Sequence, residues 1–152
     1  MEFWHNRWKT QQIGWHRAIY NDLLLKHWPS INAPEGGQVL VPLCGKSLDM
    51  LWLAEQGYNV VGLEKVEQAI QAFFEENKLD VKLTEIGNQT KHTSSPFTIF
   101  QGDLFDLEAG VVQADAWYDR AAMIALEPSS REEYVKQIFQ QTKSGAVGLL
   151  IT

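Results

Sequence analysis

A single cysteine, Cys44, stands in 152 residues, so no internal disulfide can form. One unpaired thiol fits a reducing cytoplasm, where such bonds rarely persist. No apolar run is long enough to cross a bilayer. The opening Met-Glu-Phe-Trp-His-Asn-Arg-Trp is too polar for a signal peptide. No membrane partner is expected, and the glycosylation match at Asn88–Thr90 carries no weight. Basic excess is missing as well: 13 Lys and Arg against 19 Asp and Glu give a net charge of −6 and a pI near 5.2. That removes the electrostatic footprint of a nucleic-acid binder and suits a small neutral or cationic ligand. The four histidines show no ligand spacing, so no metal is expected. Repeats and low-complexity tracts are absent, and the length fits one domain, 1–152, with a sizeable core.

What is present centres on Val39–Asp49. A short apolar run rich in β-branched residues reads as a buried parallel strand and turns at Cys44-Gly45. Ser47 then caps a helix through Trp52 and Ala54, with Asp49 near its positive end. A second apolar run, Tyr58–Leu63, ends at Glu64, 19 residues beyond Gly45. Strand, glycine turn, helix, strand and acid is the arrangement by which doubly wound folds hold an adenosine ribose, with the carboxylate accepting both hydroxyls. The turn has one glycine, not the three of G-x-G-x-x-G, which argues against a dinucleotide. A P-loop needs glycine five residues before Gly45, where Leu40 stands. A nucleoside ligand without phosphates fits better, and S-adenosylmethionine is the commonest of those.

The remaining segments supply the scaffold. Trp4, Trp8 and Trp15 precede any regular element, either as a cap over the core or as an aromatic lid over a cationic sulfonium. Ile19, Tyr20, Leu23, Leu24, His27 and Trp28 recur at helical spacing up to Pro29, with His27 read as a satisfied core histidine. Residues 29–37 lead as a loop into the first strand. Val66, Ala69, Ile70, Phe73, Phe74 and Asn77 mark one face of another helix. Residues 84–95 are polar and aperiodic, a surface loop or a mobile flap. Phe97–Phe100 reads as a third strand running to Asp103, which either meets an adenine amino group or caps the residues after it. Ala114–Tyr118 is a fourth strand ending at Asp119-Arg120, which pair with each other or face the crevice. Ser130–Glu133 has the pattern of a capping box, opening a helix with Tyr134, Val135, Ile138 and Phe139 inward and Lys143 and Gly145 at its end. Val147–Thr152 is a fifth strand. Alternating strands and helices predict an α/β, doubly wound, mostly parallel sheet.

Four blocks of this chain resemble thiopurine S-methyltransferases, particularly their bacterial branch. They are Arg7-Trp8 with Ile13-Gly-Trp-His16, Val41–Gly57, Val61-Gly-Leu-Glu64 and Tyr118–Leu126, in the family's order. The resemblance implies a Rossmann-like class I S-adenosylmethionine-dependent methyltransferase, with S-adenosylhomocysteine as product. It implies an N-terminal aromatic lid and helix over 1–28 and a core over 38–152. It places Trp8, Leu43, Glu64 and Arg120 on the cofactor, beside the Gly45 and Asp103 that spacing offers, and Trp15 and Arg120 on the acceptor, with Arg120 as the catalytic residue. The acceptors would be aromatic or heterocyclic thiols such as thiopurines, or selenium and tellurium compounds, with metalloid detoxification as a role. A soft nucleophile attacks the methyl carbon in line, so the protein supplies positioning and water exclusion. Cys44 beside a helix start offers a nucleophile on paper, but packing against the turn is the stronger reading.

The resemblance also carries a departure. Family members continue past the strand matching Val147–Thr152 into further strands, so the chain is expected to be C-terminally truncated and to lack the family's last strands. The full-length form is expected to be a monomer, and this chain to self-associate through an exposed fifth strand or to methylate thiols poorly. Two other classes stand beside the methyltransferase: a nucleotide-dependent oxidoreductase, for which the second glycine is missing, and a non-catalytic adenosine-binding module.

Overall fold

Apolar residues that alternate in pointing to the two faces of one sheet set the architecture. The computed structural model describes residues 20–152, so Trp4, Trp8, Trp15 and Ile19 lie outside the described residues. The elements run α1 (Asp22–His27), β1 (Gln38–Pro42), α2 (Leu48–Glu55), β2 (Asn59–Glu64), α3 (Glu67–Glu76), β3 (Lys82–Ile86), β4 (Gln89–Ser94) and β5 (Phe97–Gln101). There follow β6 (Ala114–Arg120), α4 (Ala122–Ala125), α5 (Arg131–Gln140) and β7 (Thr142–Ile151). The described strands form one seven-stranded sheet in the order β3-β4-β5-β2-β1-β6-β7. β5, β2, β1, β6 and β7 are parallel, and the hairpin β3–β4 adds to β5 antiparallel.

Val39 and Val41 face one core with Leu24, Trp28, Met50, Leu53, Phe73 and Tyr118. Leu40 between them faces another with Leu63, Phe100, Leu104, Leu107 and Tyr134. With both faces covered, β1 and β2 have no solvent side, which is why they read as unbroken apolar runs. The doubly wound, mostly parallel sheet expected from the sequence is the fold observed.

Several local expectations are corrected. Residues 84–94 are not an irregular loop: they lie in the hairpin β3–β4, closed at Gly87-Asn88, with Gly87 at φ 57°. His27 is exposed in the last turn of α1, where a polar side chain is solvated, and Leu24 and Trp28 carry that helix's buried face instead. The capping box at Ser130 does not form. A 3-10 turn over Pro128–Ser130 runs straight into α5, so the Ser130 backbone is already helical and its side chain caps nothing. In α5 Tyr134 and Gln137 are buried and Ile138 packs partly buried against the core, as expected for Tyr134 and Ile138, whereas Val135 and Phe139 face solvent, Phe139 at 76% exposed. Amide bonds explain the rotation. Gln137 Nε2 donates to the Phe105 carbonyl; just past the helix, Gln141 Nε2 donates to Glu108 O and its Oε1 accepts the Val112 N–H. Lys143 and Gly145 belong to β7, where pairing with β6 slips in register between Ala114 and Ala116.

Candidate functional site

The turn after β1 is built by two residues in left-handed backbone conformations, Leu43 (φ 50°) and Gly45 (φ 56°). Glycine adopts this at no steric cost; leucine does so only where its surroundings hold it. Two backbone bonds hold the residue between them: the Cys44 N–H donates to Leu63 O at 3.1 Å and the Ser47 N–H to Cys44 O at 3.2 Å. Ser47 Oγ accepts from the Asp49 N–H at 3.1 Å and caps α2, as expected. The Cys44 side chain is buried directly over Gly62, where an added Cβ would lie 2.6 Å from the sulfur. Burial, and then the nearby Glu64 carboxylate, push the thiol pKa well above its usual value. A buried, protonated thiol is a packing group, and Cys44 supplies no nucleophile.

Glu64 is buried at the carboxyl end of β2, and its carboxylate closes this turn. Oε1 accepts the Gly45 N–H at 2.8 Å; Oε2 accepts the Lys65 and Val66 N–H groups at 2.9 and 3.0 Å as the chain enters α3. The acid therefore ties the β1 turn to the start of the helix after β2. A carboxylate offers about four acceptor positions, so three backbone donors leave room for one ribose hydroxyl at Oε1. A second hydroxyl needs one of the backbone donors to let go. That refines the expected grip on both hydroxyls without removing the acceptor chemistry.

Asp103 follows β5 and caps a short 3-10 turn, its Oδ1 accepting the Phe105 N–H at 2.9 Å. The capping role is thus observed. Beneath it, Gln89 of β4 is buried and donates to the Asp103 carbonyl at 3.0 Å. His92 pairs with Gln101 at 2.8 Å and stacks on Phe74. The hairpin is a buttress for the loop that carries Asp103.

Arg120, at the end of β6, does not pair with Asp119. Successive strand residues point to opposite faces, which sends the two side chains apart. Arg120 Nη1 lies 3.3 Å from Asp49 Oδ2, and the same oxygen accepts the Tyr118 hydroxyl at 2.8 Å. Asp49 Oδ1 accepts the Asn21 N–H at 2.8 Å. Asp119, on the other face, accepts the Ala122 and Met123 N–H groups and the Tyr134 hydroxyl, the last at 2.6 Å. These bonds fix the turn at Ala121, which is left-handed at φ 61°. Burial first, with the neighbouring carboxylates adding to it, drives the Tyr118 and Tyr134 pKa values far upward, so both hydroxyls stay donors.

The parallel sheet brings Leu43, Gly45, Glu64, Asp103 and Arg120 to the carboxyl ends of four adjacent strands, β5, β2, β1 and β6. Trp8 and Trp15 lie outside the described residues. The hollow lined by Gln38, Asp115 and Lys143 opens at the opposite end of the sheet and shares none of these side chains. Gln89 and Gly62 are supporting residues that patterning missed, while Asp49 and Asp119, both visible in the sequence, hold partners that spacing did not indicate. A glycine inside an apolar strand was a readable sign of close backbone approach, and Gly62 is that case.

Among known proteins, a family model described as Thiopurine S-methyltransferase matches residues 1–152. The thiopurine S-methyltransferase of Shewanella baltica (strain OS223) is 46% identical over 151 residues, covering 99% of this chain and 69% of that protein. The enzyme of the same name from Shewanella sp. (strain ANA-3) is 45% identical with the same coverage. Among solved structures, a TehB-like SAM-dependent methyltransferase from Corynebacterium glutamicum has a TM-score of 0.60 at 19% identity, covering 93% of this chain and 66% of that one. The glycopeptide N-methyltransferase MtfA complexed with S-adenosyl-L-methionine has a TM-score of 0.58 at 14% identity, covering 78% and 48%. At those identities the likeness is one of fold, the Rossmann-like methyltransferase fold.

Proposed function

The chain belongs to the thiopurine S-methyltransferase family of S-adenosylmethionine-dependent methyltransferases, and on that premise we propose that its acceptors are aromatic and heterocyclic thiols such as thiopurines. Selenium and tellurium compounds are soft nucleophiles of the same kind and would enter by the same route. The observation that carries the cofactor half of the reading is the Gly45–Glu64 bond. A nucleoside-sized ligand meets a left-handed glycine turn and a buried carboxylate with an acceptor position left, at the carboxyl ends of β1 and β2.

When bound, S-adenosylmethionine supplies a methyl group already activated on a sulfonium. Glu64 would take a ribose hydroxyl, Leu43 and Gly45 would line the turn beside it, and Asp103 would sit on the adenine side. An acceptor sulfur held in line with that methyl group would take it in exchange for its thiol proton, which would pass to solvent. Arg120 would orient the acceptor and favour its thiolate form, because a fixed positive charge stabilises a nearby anion. Trp8 would cover the sulfonium and Trp15 the acceptor.

Titration with S-adenosylhomocysteine followed by a thiol-methylation assay with a thiopurine tests the reading. Binding and methyl transfer to sulfur are expected. Absence of binding would overturn the cofactor assignment, whereas binding without transfer would leave an adenosine-binding module.

A further inference from the structure

Arg120 does not hold its position alone. Its side chain is 39% exposed, whereas that of Asp49, its partner, is 2% exposed. A half-exposed arginine at a strand end samples many rotamers, and a substrate that needs one of them must order it on binding. A buried carboxylate beside the guanidinium selects the rotamer beforehand. That carboxylate is itself immobile: Asn21 N–H holds Oδ1, the Tyr118 hydroxyl holds Oδ2, and Ser47 Oγ holds the backbone N–H. The three partners of its carboxylate come from two elements: Asn21 at the N-cap of α1, and Tyr118 and Arg120 on β6. Nothing in the mechanism above gives Asp49 a contact with cofactor or acceptor.

We infer that Asp49 is a positioning residue for methyl transfer, one that aims Arg120 at the acceptor and links that aim to α1 and to the turn carrying Leu43 and Gly45. The inference rests on the acceptor-side reading of Arg120. A packing role would be served by any side chain that satisfies Asn21 and Tyr118; aiming a guanidinium needs the carboxylate charge.

A double-mutant cycle of Asp49→Asn and Arg120→Ala separates the two roles. Asp49→Asn is expected to lower kcat/KM for a thiopurine by about tenfold, the loss of one charge-assisted contact, while S-adenosylhomocysteine affinity holds within about twofold. Added to Arg120→Ala, it should change kcat/KM by less than about twofold. The Arg120 Nη1–H resonance should be sharp in the parent and lost in Asp49→Asn. Parent-level turnover in Asp49→Asn, equal losses in both backgrounds, or a persisting resonance would each overturn the inference. Parent-level turnover in Arg120→Ala would instead overturn the acceptor-side reading itself. Should Asp49→Asn fail to fold, Tyr118→Phe loosens the same oxygen with the charge retained. It should lower turnover less steeply, and only where Arg120 is present; an equal effect without Arg120 would count against the inference.

Discussion

Gly45 donates its backbone N–H to Glu64 Oε1 at 2.8 Å, a bond between two residues 19 apart that joins the ends of β1 and β2. The geometry makes Glu64 a structural clasp, and the proposed function makes it a ribose ligand as well. Glu64→Ala strands the N–H groups of Gly45, Lys65 and Val66 together. A hydrogen bond to a charged group is worth roughly 1.5–3 kcal/mol, so S-adenosylhomocysteine affinity should fall about tenfold to a hundredfold, and the melting temperature should fall with it. Calorimetry showing unchanged affinity would sink the ribose assignment, and an unchanged melting temperature would sink the clasp.

Gly62 lies under Cys44, and a methyl group added there has 2.6 Å to the sulfur and 3.3 Å to Ile99 Cγ1. Overpacking of this kind costs about 1–3 kcal/mol, so Gly62→Ala should destabilise the protein by that order. Cys44→Ala removes the sulfur and should recover most of the loss in the Gly62→Ala background. Denaturant titration of the four proteins checks this; purely additive losses would mean that the sulfur is not what Gly62 makes room for.

Tyr134 donates to buried Asp119, and burial with that bond raises its pKa above the ordinary tyrosine value. A raised folded-state pKa gives stability that is fully present below the unfolded value, about 10, and lost as pH climbs above it. Tyr118 behaves alike. Stability should therefore decline above about pH 10, and less steeply in Tyr134→Phe, which no longer has that proton to lose. Denaturation midpoints measured across the alkaline range report the slope, and parallel curves for parent and variant would refute the assignment.

Strands buried on both faces were legible because Val39–Val41 and Val60–Leu63 are apolar without interruption. The acid at the end of the second of them, and the glycine turn before it, followed from spacing alone. The hairpin was not legible by hydrophobicity, since the buried side chains of β4 are Gln89 and His92 and most of β3 is exposed. Its sign was Gly87-Asn88, a two-residue turn pair between Ile86 and Gln89. α5 misled in the same way, because Gln137 is buried for its backbone contact while Phe139 is left in solvent. Asp49 read as a favourable charge in a first helical turn; its bonds to Asn21, Tyr118 and Arg120 join positions up to 71 residues apart, which no local pattern encodes.

Among the described residues, β7 is an outer strand of the sheet, bonded to β6 on one side. An outer strand presents a row of backbone donors and acceptors that a second copy can pair with, unless charge or a covering element deters it. Here the deterrents are weak. Leu150 in β7 is 43% exposed, and α5, which packs against this strand, presents Val135 at 43% and Phe139 at 76%. Apolar area beside unpaired backbone favours strand-to-strand contact, so the 152-residue chain should self-associate in a concentration-dependent way. Leu150→Lys should return it to monomer, since a lysine on an outer strand must be desolvated before a partner strand can dock. The melting temperature of that variant should hardly change, because substitutions at exposed positions usually stay within about 0.5 kcal/mol. Sedimentation velocity over a dilution series measures both chains. A parent that sediments as a monomer at every concentration, or a Leu150→Lys variant that associates as strongly as the parent, would show that β7 is not the contact.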